Sequence, residues 1–261
     1  MLKIKKKDLV NTMILCAGRG KRMRYRTKYI AKPLIKIQNR SILDTNLRYL
    51  AKLGIKNCII NNSYKYKTIQ NFIKDYSYKN SYPKIFSSYE KERLETGGGV
   101  KNILHLFNKN KILVINGDSL LLNKPNMCPV SKLYDNFNGS EMDILLLIAP
   151  IKNTIGYEGK GDFIMESDKI ASRIERNQNH SSSKSYVFTG WQIIKKNLFN
   201  TVEDKKFSLN LLYDIALGQK KLFAVTLEGY FLHASTPKSI IQIENFINAN
   251  KKILNEKNYI L

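Results

Sequence analysis

Apolar positions come in short β-like runs separated by stretches with helical spacing. That alternation predicts an α/β chain built on a βαβ sheet. Residues 12–16 (TMILC) form a buried strand that runs straight into AGRG. Residues 41–53 read as a helix: Ser41 and Asp44 resemble a capping box, Leu43, Leu47, Leu50 and Ala51 share one face, and Gly54 stops it. A strand follows at 58–60, then a helix over 66–75 with Ile69, Phe72 and Ile73 inward. Residues 99–107 read as helical, and 112–115 and 143–149 as strands. Beyond residue 150 the pattern is less regular, with strands at 163–165, 186–194 and 222–226. Helices are expected over 207–217 and 237–254, the second opening on Pro237. The polar run 177–185 (NQNHSSSKS) reads as a mobile loop. No linker-like segment divides the chain, so the expectation is one domain over 1–261, its irregular second half packed on the sheet.

Composition narrows the class. A 43% hydrophobic chain supplies a core, and no run approaches the roughly 18–20 apolar residues of a membrane span. The basic start, Met1 to Lys7, and the short apolar stretch 13–17 lack the shape of a signal peptide. Cys16, Cys58 and Cys128 include no CxxC pair, which points to a reduced, cytoplasmic, soluble protein with no membrane partner. The net charge of +23 invites a nucleic-acid reading. Only nine of the 44 basic residues are Arg, however, and the lysines are spread through the chain among Asn and Ile, all three favoured by AT-rich codons. The global charge is therefore read as a solvated surface, and nucleic acid is set aside as the main partner. The exception is a local cluster, Arg19, Arg22, Arg24 and Arg26.

That cluster sits in the sharpest motif. The strand delivers the chain to Ala17-Gly18-Arg19-Gly20-Lys21-Arg22-Met23, with Lys32-Pro33 downstream. Small residues let backbone N–H groups converge on an anion. Arg22 suits a bidentate grip on a pyrophosphate, and Lys32 acts as a mobile point charge. No GK[ST] follows, so this is not a Walker loop, and a third glycine is missing for GxGxxG. Asp118 ends the apolar run ILVINGD at the carboxyl edge of a strand, where open α/β sheets bind ligands. A carboxylate facing an anionic ligand calls for a divalent cation between them. Mg²⁺ takes one or two carboxylates plus phosphate oxygens. Gly97 to Gly99 lead into a helix whose first N–H groups are open to a ligand, a flexible hinge being the alternative.

The run LCAGRGKRM followed by AKPL resembles the sugar-1-phosphate nucleotidyltransferases, in which these two motifs bracket a nucleoside triphosphate. LETGGG (94–99) and NGD (116–118) resemble the N-acetylmuramate-1-phosphate uridylyltransferase branch, and Phe207-Ser208-Leu209 and Thr236-Pro237 fall where that branch carries similar motifs. The resemblance implies a Rossmann-like, mixed, mostly parallel sheet flanked by helices, with a nucleotide-binding half to about residue 120 and a sugar-binding half beyond. It implies UMP transfer from UTP to N-acetylmuramate 1-phosphate, in peptidoglycan recycling. Mannose or glucose 1-phosphate with GTP or TTP is one alternative, and a non-catalytic nucleotide-binding regulator another. Arg22, Lys32 and Asp118 would be catalytic, with Asp118 on Mg²⁺. Ala17, Gly18, Arg19, Gly20, Lys21, Gly97, Gly98 and Asn116 would touch substrate, with Gly161 and Glu175 near the sugar. Without the resemblance, Gly161 is a turn residue, and Glu175, Asp162 and Asp214 are surface or capping acids. One position departs from the pattern: His233 stands where a second metal carboxylate is expected, and imidazole suits Mn²⁺ or Zn²⁺ better than Mg²⁺. Either His233 ligates the metal, or the metal relies on Asp118 and phosphate oxygens, or His233 binds substrate phosphate, or activity is reduced, or His233 is structural.

Overall fold

The computed structural model describes residues 12–78, 83–123, 127–167, 169–178 and 185–256. Strands in chain order are β1 (Thr12–Leu15), β2 (Lys36–Ile37), β3 (Arg40–Ser41), β4 (Asn57–Asn62), β5 (Lys84–Tyr89), β6 (Lys111–Asn116) and β7 (Ser119–Asn123). They continue with β8 (Ile144–Pro150), β9 (Thr154–Ile155), β10 (Phe163–Met165), β11 (Ala171–Arg176), β12 (Ser185–Lys195), β13 (Leu222–Thr226) and β14 (Gly229–His233). The helices are α1 (Ile42–Lys52), α2 (Tyr66–Tyr78), α3 (Glu95–Asn102), α4 (Pro129–Asn136), α5 (Leu209–Gly218), α6 (Pro237–Ala249) and α7 (Lys251–Glu256).

The apolar runs are strands because both of their faces are covered. Along β6, Leu113 and Ile115 enter one core while Ile112 and Val114 enter the other; along β8, Leu145, Leu147 and Ala149 oppose Ile144, Leu146 and Ile148. Nine strands make one sheet in the order β10-β11-β13-β8-β12-β6-β1-β4-β5. β5, β4, β1 and β6 pair in parallel, as do β8 and β13, while β12 and β11 run against their neighbours. The expected mixed, mostly parallel sheet is therefore present. The second half of the chain enters it through β8 and β10 to β13 rather than packing on it as expected.

Two features of the sheet place the site. β1 lies between β4 and β6, so the chain order reverses there and a crevice opens at the carboxyl ends. β12 is longer and irregular: Phe188 faces Ile148, but Gln192 faces Leu146, so two extra residues are looped out around Gly190 (φ +83). A separate three-stranded sheet, β7-β14-β9, carries the segment after Asp118 back beside the crevice. It packs with α6 over a third core containing Leu120, Leu122, Leu232 and Ile240.

Helix ends follow their caps. Ser41 Oγ accepts from Asp44 N at 3.1 Å, and Thr236 and Ser239 form a reciprocal capping box on either side of Pro237. The helix expected at 99–107 instead begins at Glu95, with the glycines inside it and a 3-10 turn (Leu104–Leu106) after it. Glycine weakens a helix by about 1 kcal/mol per residue. Here close packing overrides that cost, because a Cβ at Gly97 would lie 2.3 Å from the Phe207 ring and one at Gly98 2.2 Å from the Lys205 carbonyl oxygen. α5 starts at Leu209 behind the Ser208 cap, and the helix expected over 237–254 breaks into α6 and α7. Most of the loop expected at 177–185 lies outside the described residues, as does the amino-terminal basic run. No helix among the described residues is long and apolar enough to cross a membrane.

Leu145, the second residue of β8, is fully buried. Leu145→Ala is expected to cost roughly 2–5 kcal/mol and to lower the melting temperature by roughly 5–15 °C, read by calorimetry.

Candidate active site

The crevice at the end of β1 is a pocket of about 370 Å³. Its floor is Leu15 to Arg22, one flank is Lys32, Pro33, Asn116, Gly117 and Asp118, and the other is Asn61, Arg93, Glu95 and Thr96. Gly20 adopts φ +63, a left-handed turn open to glycine, and a Cβ there would meet Thr27 and Lys32 at 2.9–3.0 Å. Thr27 Oγ1 donates to the Gly20 carbonyl at 3.2 Å, pinning the turn. Across the crevice, Gly117 N donates to the Leu15 carbonyl at 3.0 Å, and a Cβ on Gly117 would stand 2.4 Å from that oxygen. The glycine of the Asn-Gly-Asp motif thus lets β6 close against β1 and sets Asp118 at the rim.

The backbone N–H groups of Ala17, Gly18, Arg19 and Gly20 have no protein acceptor among the described residues. Ala17 is buried and Gly20 half-buried, while Gly18 and Arg19 are exposed at the mouth of the crevice, so these donors are free for an entering ligand. Here they border Arg22 and Lys32, so a polyanion is the complementary ligand.

Sequence reasoning missed the bridge that holds the two flanks. Asn61 Oδ1 accepts from Cys16 N at 2.8 Å while its Nδ2 donates to Glu90 Oε1 at 2.7 Å. The other Glu90 oxygen accepts from Leu94 N at 3.0 Å. Both side chains are buried, Asn61 2% and Glu90 3% exposed. The chain carries a signal for this: the apolar run of β4 ends in two asparagines (NCIINN), just as that of β6 ends in Asn-Gly-Asp. Glu95, which pairs with Arg93, takes φ +64, an uncommon backbone for a side chain that size.

Lys32 Nζ is bonded directly to Asp118 Oδ2, where the sequence led us to expect a cation between the carboxylate and the ligand. Burial works against the Asp118 charge, but Lys32, with a smaller pull from His233, outweighs it and holds the carboxyl below its ordinary value. His233 follows from the register of β14, which sets it opposite Ser119, while Ala234 N reaches the Asp118 carbonyl at 3.3 Å. Burial lowers the His233 pKa, Asp118 opposing and Lys32 and Arg22 adding to the shift. Its Nδ1 is buried without a hydrogen-bond partner, and its ring lies 5.8 Å from that of Tyr157. Tyr157 in turn donates to Asp162 at 3.2 Å, and the second Asp162 oxygen accepts from Phe188 N at 2.8 Å, anchoring the strand just before the β12 bulge. Among the described residues no three His, Cys, Asp or Glu side chains converge as a metal cage. One carboxylate beside an unpartnered imidazole nitrogen does fit a cation shared with ligand phosphates.

The structure gathers Ala17, Gly18, Arg19, Gly20, Lys21, Arg22, Lys32, Asn116 and Asp118 in one wall, with His233 beside Asp118. Gly97 and Gly98 sit behind it: both N–H groups donate to the Phe207 carbonyl (2.9 and 3.0 Å) and are not open to a ligand. Gly161 (φ +92) lies against Ser185 at the start of β10, and Glu175 is exposed on β11; neither lines the pocket. Asp214 is the partner of Arg176 at 2.9 Å. Cys16 is buried and burial pushes its thiol well up, so it is no nucleophile.

Residues 11–157 match the Nucleotidyl transferase family. The chain is 36% identical over 238 residues to the D-glycero-alpha-D-manno-heptose 1-phosphate guanylyltransferase of Campylobacter jejuni, covering 88% of this chain and 96% of that protein. It is 25% identical over 233 residues to the N-acetylmuramate alpha-1-phosphate uridylyltransferase of Caulobacter vibrioides, covering 89% and 94%. Among solved structures, HddC of Yersinia pseudotuberculosis complexed with GMP-PN superposes with a TM-score of 0.70 at 24% identity, over 90% of this chain and 99% of that one.

Removing the bridge isolates its contribution. Asn61→Ala leaves Cys16 N and one Glu90 oxygen without their partner and is expected to cost roughly 1–3 kcal/mol, read as a lower denaturant midpoint. Asn61→Asp, which sets a second carboxylate against Glu90, is expected to cost more than Asn61→Ala.

Proposed function

The chain belongs to the nucleotidyl transferase family and is a sugar-1-phosphate nucleotidyltransferase, and we propose that it transfers UMP from UTP to N-acetylmuramate 1-phosphate, releasing pyrophosphate. The observation that carries the triphosphate reading is the row of unpartnered amides from Ala17 to Gly20 beside Arg22 and Lys32. The LETGGG run, with Glu95 on the pocket wall, and the uridylyltransferase relative support the uracil and muramyl assignment. A second reading, guanylyl transfer to a heptose 1-phosphate, is favoured by the higher identity to the Campylobacter jejuni guanylyltransferase.

In this reading the nucleotide occupies the first half of the chain, to about residue 120, and the sugar phosphate enters from the side of Asn116, Tyr157 and His233. An oxygen of the sugar phosphate attacks the α-phosphorus, a new P–O bond forms, and the bond to the β-phosphate breaks. No enzyme-bound covalent intermediate is needed, so the protein supplies alignment and charge. Arg22 and the loop amides hold the β- and γ-phosphates as negative charge grows on the leaving group. Lys32 turns from Asp118 to the α-phosphate and the attacking phosphate, offsetting the repulsion between two anions. Asp118, with His233 at its side, would hold a divalent cation, Mg²⁺ or Mn²⁺, which when bound neutralises phosphate charge.

Lys32→Ala and Asp118→Asn are each expected to slow pyrophosphate release by about 10²–10³-fold while the fold is kept. Near-normal release from either would overturn the assignment. A panel of UTP, GTP and TTP against N-acetylmuramate, heptose, mannose and glucose 1-phosphates, read by pyrophosphate, decides the substrates. Turnover with UTP and the muramyl phosphate is expected; preference for GTP with heptose 1-phosphate would select the second reading. Tight nucleotide binding with no turnover would instead identify a regulator.

A further inference from the structure

Beside the nucleotide pocket lies a second, more open hollow of about 700 Å³, lined by Arg19, Lys21, Arg24, Tyr25, Thr27, Lys28 and Tyr64. Arg19 and Lys21 line both cavities, so the two adjoin at the end of the loop where the terminal phosphates would sit. The hollow has four cations, and among the described residues none of them has a carboxylate within ion-pair distance. The sequence contains no acid between Ala17 and Ser41, and the first one, Asp44, is engaged by Arg40 and Arg48.

The walls are fixed rather than loose. Thr27 Oγ1 reaches the carbonyls of Gly20 and Arg24, both at 3.2 Å, and Tyr64 donates to the Thr27 carbonyl at 3.1 Å. Arg24 is held at φ 50, ψ −122, a backbone that a non-glycine residue adopts only when its surroundings force it. Arg24 does not line the nucleotide pocket, so the reaction proposed above leaves this constraint unexplained.

We propose that this hollow is a second anion site that takes inorganic pyrophosphate as it leaves the nucleotide pocket. The inference rests on the triphosphate reading of the first pocket. A product carrying several negative charges, released among Arg22, Lys32 and the loop amides, is slow to leave for bulk water. Unpaired cations just outside give it successive partners and a field directed outward. Single-stranded nucleic acid would suit the exposed Tyr25 and the charge, but the shared wall with the phosphate end of the pocket favours the small anion.

Arg24→Gly, which accepts the left-handed backbone, combined with Lys28→Ala removes two of the cations without touching the nucleotide pocket. Calorimetric titration of the unmodified protein with inorganic pyrophosphate is expected to give two binding events. The double variant is expected to lose one of them, and Lys32→Ala to weaken the other. In turnover, the double variant's product-inhibition constant for pyrophosphate is expected to rise about fivefold, with the forward rate at saturating nucleotide within about twofold. If the double variant is poorly folded, Lys28→Glu alone tests the same loss. Two events retained in the variant would overturn the proposal, as would a single, Lys32-dependent event in the unmodified protein. Loss of single-stranded oligonucleotide binding with pyrophosphate binding unchanged would overturn it in favour of nucleic acid. A hollow event that persists while no event responds to Lys32→Ala would instead overturn the nucleotide reading.

Discussion

Three parallel strands, β4, β1 and β6, end together, and the backbone donors just past β1 have no ladder left to join. Main-chain N–H groups at a strand end find partners in a neighbouring strand, a side chain or the medium outside. Here the sheet uses its own geometry to leave a short row of them waiting. The nearby constraints serve that row. Gly20 turns the chain left-handed so the amides stay together, Gly117 lets β6 close in without a side chain between, and Asn61 draws Cys16 N toward β4 so the loop departs at a fixed angle.

The charges around the row are balanced before any ligand arrives. Lys32 is 9% exposed, and a lysine buried that deeply without a counter-charge is costly. Asp118 provides the counter-charge at rest. The same two groups are those a phosphate and a cation would engage, so ligand entry exchanges one set of opposite charges for another and never strands a buried ion. His233 adds a neutral, adjustable member to this set, because burial holds it below its ordinary pKa.

Much of this was legible in the chain because local chemistry dictated it. The glycine loop after a strand, the lysine before proline, the aspartate at a strand end and the cap at Ser41 depend on near neighbours in sequence. What stayed hidden depended on distant partners. β7 and β14 are neighbours in one small sheet, yet 108 residues separate Leu122 from its partner Tyr230 along the chain, and the run Leu120 to Leu122 lies just past the apolar stretch of β6. Gly97 and Gly98 have the composition of a ligand loop, and only Phe207, far along the chain, turns them into the packed face of a helix. Asp162 has nothing in its surroundings in sequence to mark it as the anchor of Phe188 N. Glu95 adopts a backbone that its residue type disfavours, which no propensity argument predicts.

The looped-out pair in β12 has a consequence for how this chain tolerates changes of length. Because two residues are inserted, not one, Val187 before the loop and Trp191 and Ile193 after it still face the same core. Parity is conserved across the interruption. Removing or adding a single residue there would turn half the strand over, exchanging Trp191 for Gln192 in the core that holds Val187, whereas a change by two would keep the sidedness of the strand and alter only the length of the loop at Thr189 and Gly190. Variation at this corner is therefore quantised in steps of two.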